Sequence, residues 1–292
     1  NNYAAVFANY PKFRDRSGEV ESIYKRVSDC MERSLNGTAI DSNSKEFKAI
    51  YAYIKWLGQD VQKGQKPNGV GIEKLAYLNR AADPAKGQVV YTTQCMRCHG
   101  NAGQGQLAPN NVEYVYPPLW GPHSYNDGAG LYRISNFAGY VKNNMPFDLA
   151  SHKNPFLTEE QCWDVAAYVN SQPRPHKNQN SDWPVVKNKP IDFPFAPYAD
   201  DFSETQHKYG PFAPIQEGNK NKFELKGKYK SAGGDGIPIG AFNVPKGSVV
   251  VTAGGRVLLE GLDYSVNYQA GRVQILDPAL QASNTPIQVS VE

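Results

Sequence analysis

The chain has 292 residues, and its 31 Lys and Arg against 28 Asp and Glu leave a formal net charge of +3. That length holds more than one domain, while so small a charge gives no electrostatic footprint for nucleic acid or an anionic membrane. No apolar run of roughly 18 residues and no basic-then-apolar start is present, so no transmembrane segment is expected and any signal peptide is already gone or was never included.

Residues 1 to about 75 read as all-helical. Glu19 to Leu35 carries apolar residues at helical spacing and stops at Asn36-Gly37. Asn43, with Glu46 three residues on, is expected to cap a second helix through Phe47, Ile50, Tyr51, Ile54 and Leu57 to Gly58. Two helices enclose little, so this region (1–75) reads as the second half of an N-terminal domain.

Residues 76–172 carry the most specific signal. Asp83-Pro84-Ala85-Lys86-Gly87 opens a helix that runs into Cys95-Met96-Arg97-Cys98-His99, the C-x-x-C-H pattern. Two thiols at this spacing each add to a haem vinyl group, and the next residue offers its imidazole to the iron. Cys95 and Cys98 are thus expected tethers of haem c, with His99 the proximal ligand. A zinc site would need a second close pair of ligands, yet Cys30 and Cys162 are isolated. A thioredoxin-like dithiol would follow a strand, not a helix.

Beyond the motif come a Gly-, Pro- and Asn-rich loop including Tyr116-Pro117-Pro118-Leu119-Trp120-Gly121, a helix near Ala129 to Asn143, and a capped helix from Thr158. A thioether stabilises reduced iron, which makes Met the usual distal partner of His. Met31 precedes the module and Met96 lies inside the attachment loop, so Met145, in Asn143-Asn144-Met145-Pro146-Phe147, is the expected distal ligand, with His123 and His152 as competitors. Cys162 sits on the capped amphipathic helix and reads as a small buried hydrophobe, although an oxidising compartment would let it pair with Cys30 if geometry allowed. Residues 173–221 are rich in proline and aromatics with little periodicity, which predicts an extended wrap over the haem module.

Residues 222–292 change to alternating β-branched and polar residues: Ser248 to Ala253, Arg256 to Leu259, Tyr264 to Tyr268, Arg272 to Leu276 and Pro286 to Val291, with Gly254-Gly255 and Gly271 as turns. A small C-terminal all-β domain is expected. It holds no Cys, His or Met, so it is read as an interaction module without a redox role.

Asn143 to Phe147, the Trp163-Asp164-Val165-Ala166-Ala167-Tyr168 helix and Asp29-Cys30-Met31-Glu32-Arg33-Ser34-Leu35-Asn36-Gly37 together resemble the di-haem cytochromes c of the thiosulfate dehydrogenase type over about residues 1–216. That resemblance implies a second haem whose iron takes Cys30 as axial thiolate, and oxidation of thiosulfate to tetrathionate there. It also implies nearby cations, with Arg26 and Arg33 the candidates and Arg14 and Arg16 in the same stretch. The sequence departs from that pattern in having no C-x-x-C-H before Cys30. Gly236 to Ser248, Val251 to Gly255 and Gly261 to Tyr268 resemble instead a segment of SprA, the outer-membrane translocon of type 9 secretion in Bacteroidetes.

The expected architecture is therefore a mainly α cytochrome c region plus a small β domain, serving electron transfer through covalent haem. The resemblance offers a thiosulfate dehydrogenase as the alternative, and the β domain offers an assembly component docking by strand addition. The expected partners are a redox protein and, for the enzyme, a sulfur oxyanion. Covalent haem attachment places the chain in the periplasm or at the cell surface.

Overall fold

The computed structural model describes residues 3–218, 225–227, 236–239, 243–283 and 285–291. They fall into two compact units, Asn1–Ile215 and Gln216–Glu292.

The first unit starts with α1 (Ala4–Asn9) and an antiparallel hairpin of β1 (Lys12–Arg14) and β2 (Glu19–Glu21), with Phe13 opposite Val20. The hairpin corrects the all-helical expectation for residues 1–75, because Glu19 to Glu21 pair as a strand. The helix starts only after Ser22, whose hydroxyl accepts from the Lys25 N–H at 3.3 Å. A cap with a side-chain acceptor ends the extended chain and satisfies an orphan donor. α2 (Ile23–Asp29) then runs into a π-helical turn, Cys30–Ser34, which closes where Asn36 adopts φ 50° and the Gly37 N–H donates to Met31 O at 2.9 Å. α3 (Lys45–Leu57) is capped by Ser44, not the expected Asn43: Ser44 Oγ accepts from Phe47 N–H at 3.1 Å, while the Asn43 N–H is held by Asp41. No residue of α3 is fully buried, and Tyr53 and Trp56 stack on its exposed side.

The module that follows is built on α4 (Pro84–Val90), a π-helical turn Tyr91–Cys95, and α5 (Met96–His99). Asp83 caps α4 with Pro84 at its first position. A two-stranded ribbon of β3 (Gln106–Leu107) and β4 (Tyr114–Tyr116) follows, then α6 (Ile134–Asn144) and α7 (Glu159–Ser171). The sequence places the α6 helix from Ala129, but Gly130–Tyr132 form a 3-10 turn first. α7 has a complete capping box: Gln161 N–H donates to Thr158 Oγ1 at 3.2 Å, and Gln161 Oε1 accepts from Thr158 N–H at 3.0 Å.

α4 and α6 both pack on α7, around Tyr91, Ile134, Phe137, Cys162 and Trp163. Gly87 makes the α4 crossing possible, since a Cβ there would overlap the Asp164 carbonyl of α7. Asp164 itself is buried and accepts from Arg80 (2.7 and 2.9 Å) and the Asp83 N–H (2.8 Å), fixing the start of α4 to α7. Residues 173–212 have little regular structure beyond a 3-10 turn, Val186–Asn188, and α8 (Glu204–Tyr209). Phe212 and, at the start of α9 (Ala213–Gly218), Ile215 return to the core around Trp163.

In the second unit the described strands are β5 (Leu225–Gly227), β6 (Ile237–Pro238), β7 (Val249–Ala253), β8 (Arg256–Val257), β9 (Tyr264–Asn267), β10 (Arg272–Ile275) and β11 (Ile287–Val291). They form a four-stranded sheet, β5-β11-β7-β8, and a three-stranded sheet, β6-β10-β9, with antiparallel pairing throughout. Alternate residues of β7 and β11 are buried, as the period-two pattern requires. The all-β expectation needs one correction: Asp277-Pro278 starts α10 (Pro278–Ala282), with the Asp277 carboxylate accepting from Ala279 N–H at 2.8 Å. Those parts of the expected β domain at 222–224, 228–235 and 240–242 lie outside the described residues.

Alanine is the better helix former by roughly 1 kcal/mol, yet Gly87→Ala is expected to destabilise the first unit by more than about 2 kcal/mol, because the new methyl overpacks the α4 crossing. Denaturant titration of the two proteins checks the sign.

Candidate haem centre and the Cys30 pocket

His99 ends α5 and is 8% exposed. Its Nδ1 lies 2.8 Å from the Pro117 carbonyl oxygen, and a carbonyl can only accept. The proton is thereby assigned to Nδ1, leaving the Nε2 lone pair free for a metal. Burial holds the imidazole below the usual histidine range, with the Pro117 bond opposing.

The chain after His99 folds back at once. Gly105 N–H donates to His99 O (2.9 Å), and Leu119 N–H donates to Gly103 O (2.8 Å). Gly103, at φ +61°, lies against the Trp120 ring, where any side chain would collide. These bonds bring Pro117 back to His99. Cys95 and Cys98 are half-buried unpaired thiols, and burial, with Cys98 adding, pushes the Cys95 thiol up to about 11.

Met145 closes α6, its N–H donating to Val141 O at 2.9 Å. It is half-buried and packs against the core that also receives Cys95. An ion pair of Arg97 with Asp148 links the attachment helix to the turn following Met145. His123 and His152 are exposed, and His152 lies 3.8 Å from Glu73. The donor set of two thiols, one imidazole with a free Nε2 and one thioether fits haem c.

A second site surrounds Cys30, the first residue of the π-helical turn. Arg26, one helical turn earlier, donates from Nη1 to Cys30 Sγ at 2.7 Å. Both line a cavity of about 450 Å³ together with Lys12, Arg14, Arg16 and Arg33, whose charges outnumber those of Asp15 and Asp29 in the same wall. Burial lowers the Arg16 pKa, with the neighbouring Arg33 charge adding. Arg33 is different: its two terminal nitrogens bond the two oxygens of buried Asp182 at 2.7 and 2.8 Å, so its charge is matched. Lys12 carries no signal in the sequence, since only the pairing of β1 with β2 brings it to the cavity. All four cysteines are unpaired, and Cys162 is completely buried.

Residues 84–173 match the family model for cytochrome c, and residues 1–62 match the model for the SoxA/TsdA cytochrome c domain. The chain thus carries cytochrome c domains, and its cofactor is haem c. It is 37% identical over 187 residues to a thiosulfate dehydrogenase of Psychrobacter arcticus, covering 63% of this chain and 54% of that one. It is 38% identical over 173 residues to a thiosulfate dehydrogenase of Allochromatium vinosum, covering 59% and 62%. A solved structure of thiosulfate dehydrogenase (TsdBA) from Marichromatium purpuratum in its as-isolated form superposes with a TM-score of 0.55 at 32% identity, covering 60% of this chain and 37% of that one. The chain therefore spans less than two thirds of the length of these relatives. The two family matches lie in the first unit, and the resemblance of residues 222–292 to SprA rests on the sequence alone. Among the described residues, no helix is long and apolar enough to cross a membrane.

Cys162 is fully buried and its thiol is pushed up to about 12 by burial. Iodoacetamide is expected to leave it unmodified in the folded protein and to label it on denaturation, as read by peptide mass spectrometry. Labelling at a denatured-state rate under native conditions contradicts this.

Proposed function

We propose that the chain is an electron-transferring c-type cytochrome of a periplasmic thiosulfate dehydrogenase, oxidising thiosulfate at the Cys30 pocket and passing electrons out through the His99 haem. In this reading residues 1–75 act as the second half of an N-terminal cytochrome c-like domain, 76–172 as the haem domain and 173–221 as its wrap. Cys95 and Cys98 would tether the haem, and His99 and Met145 would be the side chains that hold its iron. The exposure of His123 and His152 supports Met145 over its competitors. Cys30 would hold the iron of a second haem.

One observation carries the enzymatic part: a cationic cavity with Cys30 in its wall and Arg26 on its sulfur. Two thiosulfate dianions must meet to give tetrathionate and two electrons, and their repulsion opposes that encounter. Lys12, Arg14, Arg16 and Arg26 offset it by converging on one cavity. When bound, haem c supplies a one-electron couple. His99, held by Pro117, keeps one orientation through the cycle, so little reorganisation accompanies each electron. Arg97 and Asp148 hold the attachment helix and the turn after Met145 together.

Thiosulfate is expected to reduce the haem absorption bands of the wild-type protein, and Arg26→Gln to slow this by about 10-fold or more, the scale of one lost charged contact. A protein reduced by ascorbate but not by thiosulfate is an electron carrier alone. Met145→His is expected to abolish the weak far-red charge-transfer band of a Met-ligated ferric haem and to lower the potential; an unchanged spectrum removes Met145 from the iron.

The β unit is proposed to be an interaction module, its Leu259 and Leu262 being exposed on a segment with no Cys, His or Met. Deleting residues 222–292 is expected to leave the visible spectrum and potential unchanged while altering oligomeric size or partner binding. A changed axial ligation contradicts the division.

A further inference from the structure

The geometry points to Arg33 as a positioning residue: with Asp182 and Asn126 it forms a strut that holds the Cys30 turn, and so the cations around Cys30, against the haem module. This inference rests on reading the Cys30 pocket as the site that receives the anion, and it removes Arg33 from the groups that touch that anion.

The argument starts from where the Arg33 donors go. Nη1 and Nη2 both bond Asp182, at 2.7 and 2.8 Å, and Nη1 also reaches the Gly128 carbonyl at 3.4 Å. The Arg33 and Asp182 side chains are 10% and 7% exposed. A planar guanidinium fork on one buried carboxylate fixes direction as well as distance. Arg33 Nε is buried without a partner, an added cost that the paired nitrogens outweigh.

The main chain of the same turn is gripped independently. Asn126, 1% exposed, donates its N–H to Arg33 O (3.1 Å) and its side-chain amide to Glu32 O (2.8 Å) and Asn36 Oδ1 (3.0 Å). The residue after Asp182 holds the opposite wall, since Trp183 N–H donates to Arg16 O at 2.7 Å. Residues 126–128 and 182–183 thus clasp the Cys30 turn and the hairpin that carries Arg16. Breaking the ion pair leaves an uncompensated buried charge and removes the side-chain link between the two grips.

The test uses residues 1–292, whose single attachment motif loads the His99 haem alone: Cys95 and Cys98 are consumed by that haem, Cys162 is buried, and Cys30, with no second haem on its sulfur, is the thiol that labels. The readout is the ratio of its labelling rates with anionic iodoacetate and neutral iodoacetamide, which reports the local positive potential independently of access. The strut predicts that Arg33→Lys, which keeps the charge but loses the fork, and Asp182→Asn, which adds net positive charge, both lower the ratio, roughly threefold or more. An anion-contacting Arg33 predicts opposite behaviour: no change for Arg33→Lys and a rise for Asp182→Asn, and that result overturns the proposal.

Gly128→Ala is the milder variant, its Cβ falling 2.9 Å from Arg33 Nη1 without altering any charge. It should lower the ratio in the same direction, and an unchanged ratio counts against the strut. An unaltered His99 haem spectrum certifies that each variant is folded. The labelling ratio needs no thiosulfate, so a protein that fails to oxidise thiosulfate while the ratio falls loses the proposed activity and keeps the strut.

Discussion

The hydrogen bond from His99 Nδ1 to the Pro117 carbonyl sets the demand that the rest of the first unit meets. An imidazole at a helix end can rotate and can carry its proton on either nitrogen; a fixed carbonyl acceptor removes both freedoms. The loop of residues 100–117 must therefore leave α5 and return to it within a short path. It does so through glycines at close approaches, through Leu119 on Gly103, and through Tyr91, whose hydroxyl donates to Gly100 O at 2.6 Å. Tyr91 is itself locked between the Trp120 and Tyr168 rings, so the geometry at His99 is carried by the α4 and α7 crossing.

The first unit accordingly supports two environments with opposite physics. Around Met145 and Cys95 the packing is apolar, and the His99 imidazole is directed at the Pro117 carbonyl. Around Cys30 the walls are cationic and a cavity remains open. The Arg33–Asp182 pair, with both side chains at 10% exposure or less, and the half-exposed Arg80 on buried Asp164 join segments far apart in the chain. A buried pair contributes little net stability but penalises any arrangement that separates its members, which favours one placement of the segments it joins.

The parts legible in the sequence were those whose cause is local. The attachment motif needs five consecutive residues, and the α7 capping box needs four, so both could be read directly. Alternation in β7 and β11 was equally plain because the side-chain period is two. The hairpin at Lys12 to Glu21 was misread as helix, since Glu19 to Glu21 become a strand only by pairing with residues that themselves have no strong preference. α3 was assigned the wrong cap because Asn43 and Ser44 both suit the position, and Asp41 decides between them. The pairing of Arg33 with Asp182 spans 149 residues and left no local trace. Cys30 entered only by resemblance, and it took the fold to bring Arg26, Arg16 and Lys12 to one cavity.

The central claim is that this chain holds haem c covalently through Cys95 and Cys98 on the helix that ends in His99. The most direct measurement is the intact mass of the purified protein after unfolding in acidified organic solvent, followed by mapping of the modified peptide. The account predicts the mass of the polypeptide plus haem, with the addition on the peptide spanning Cys95 to His99. A bare polypeptide mass, or an addition elsewhere in the chain, would contradict it.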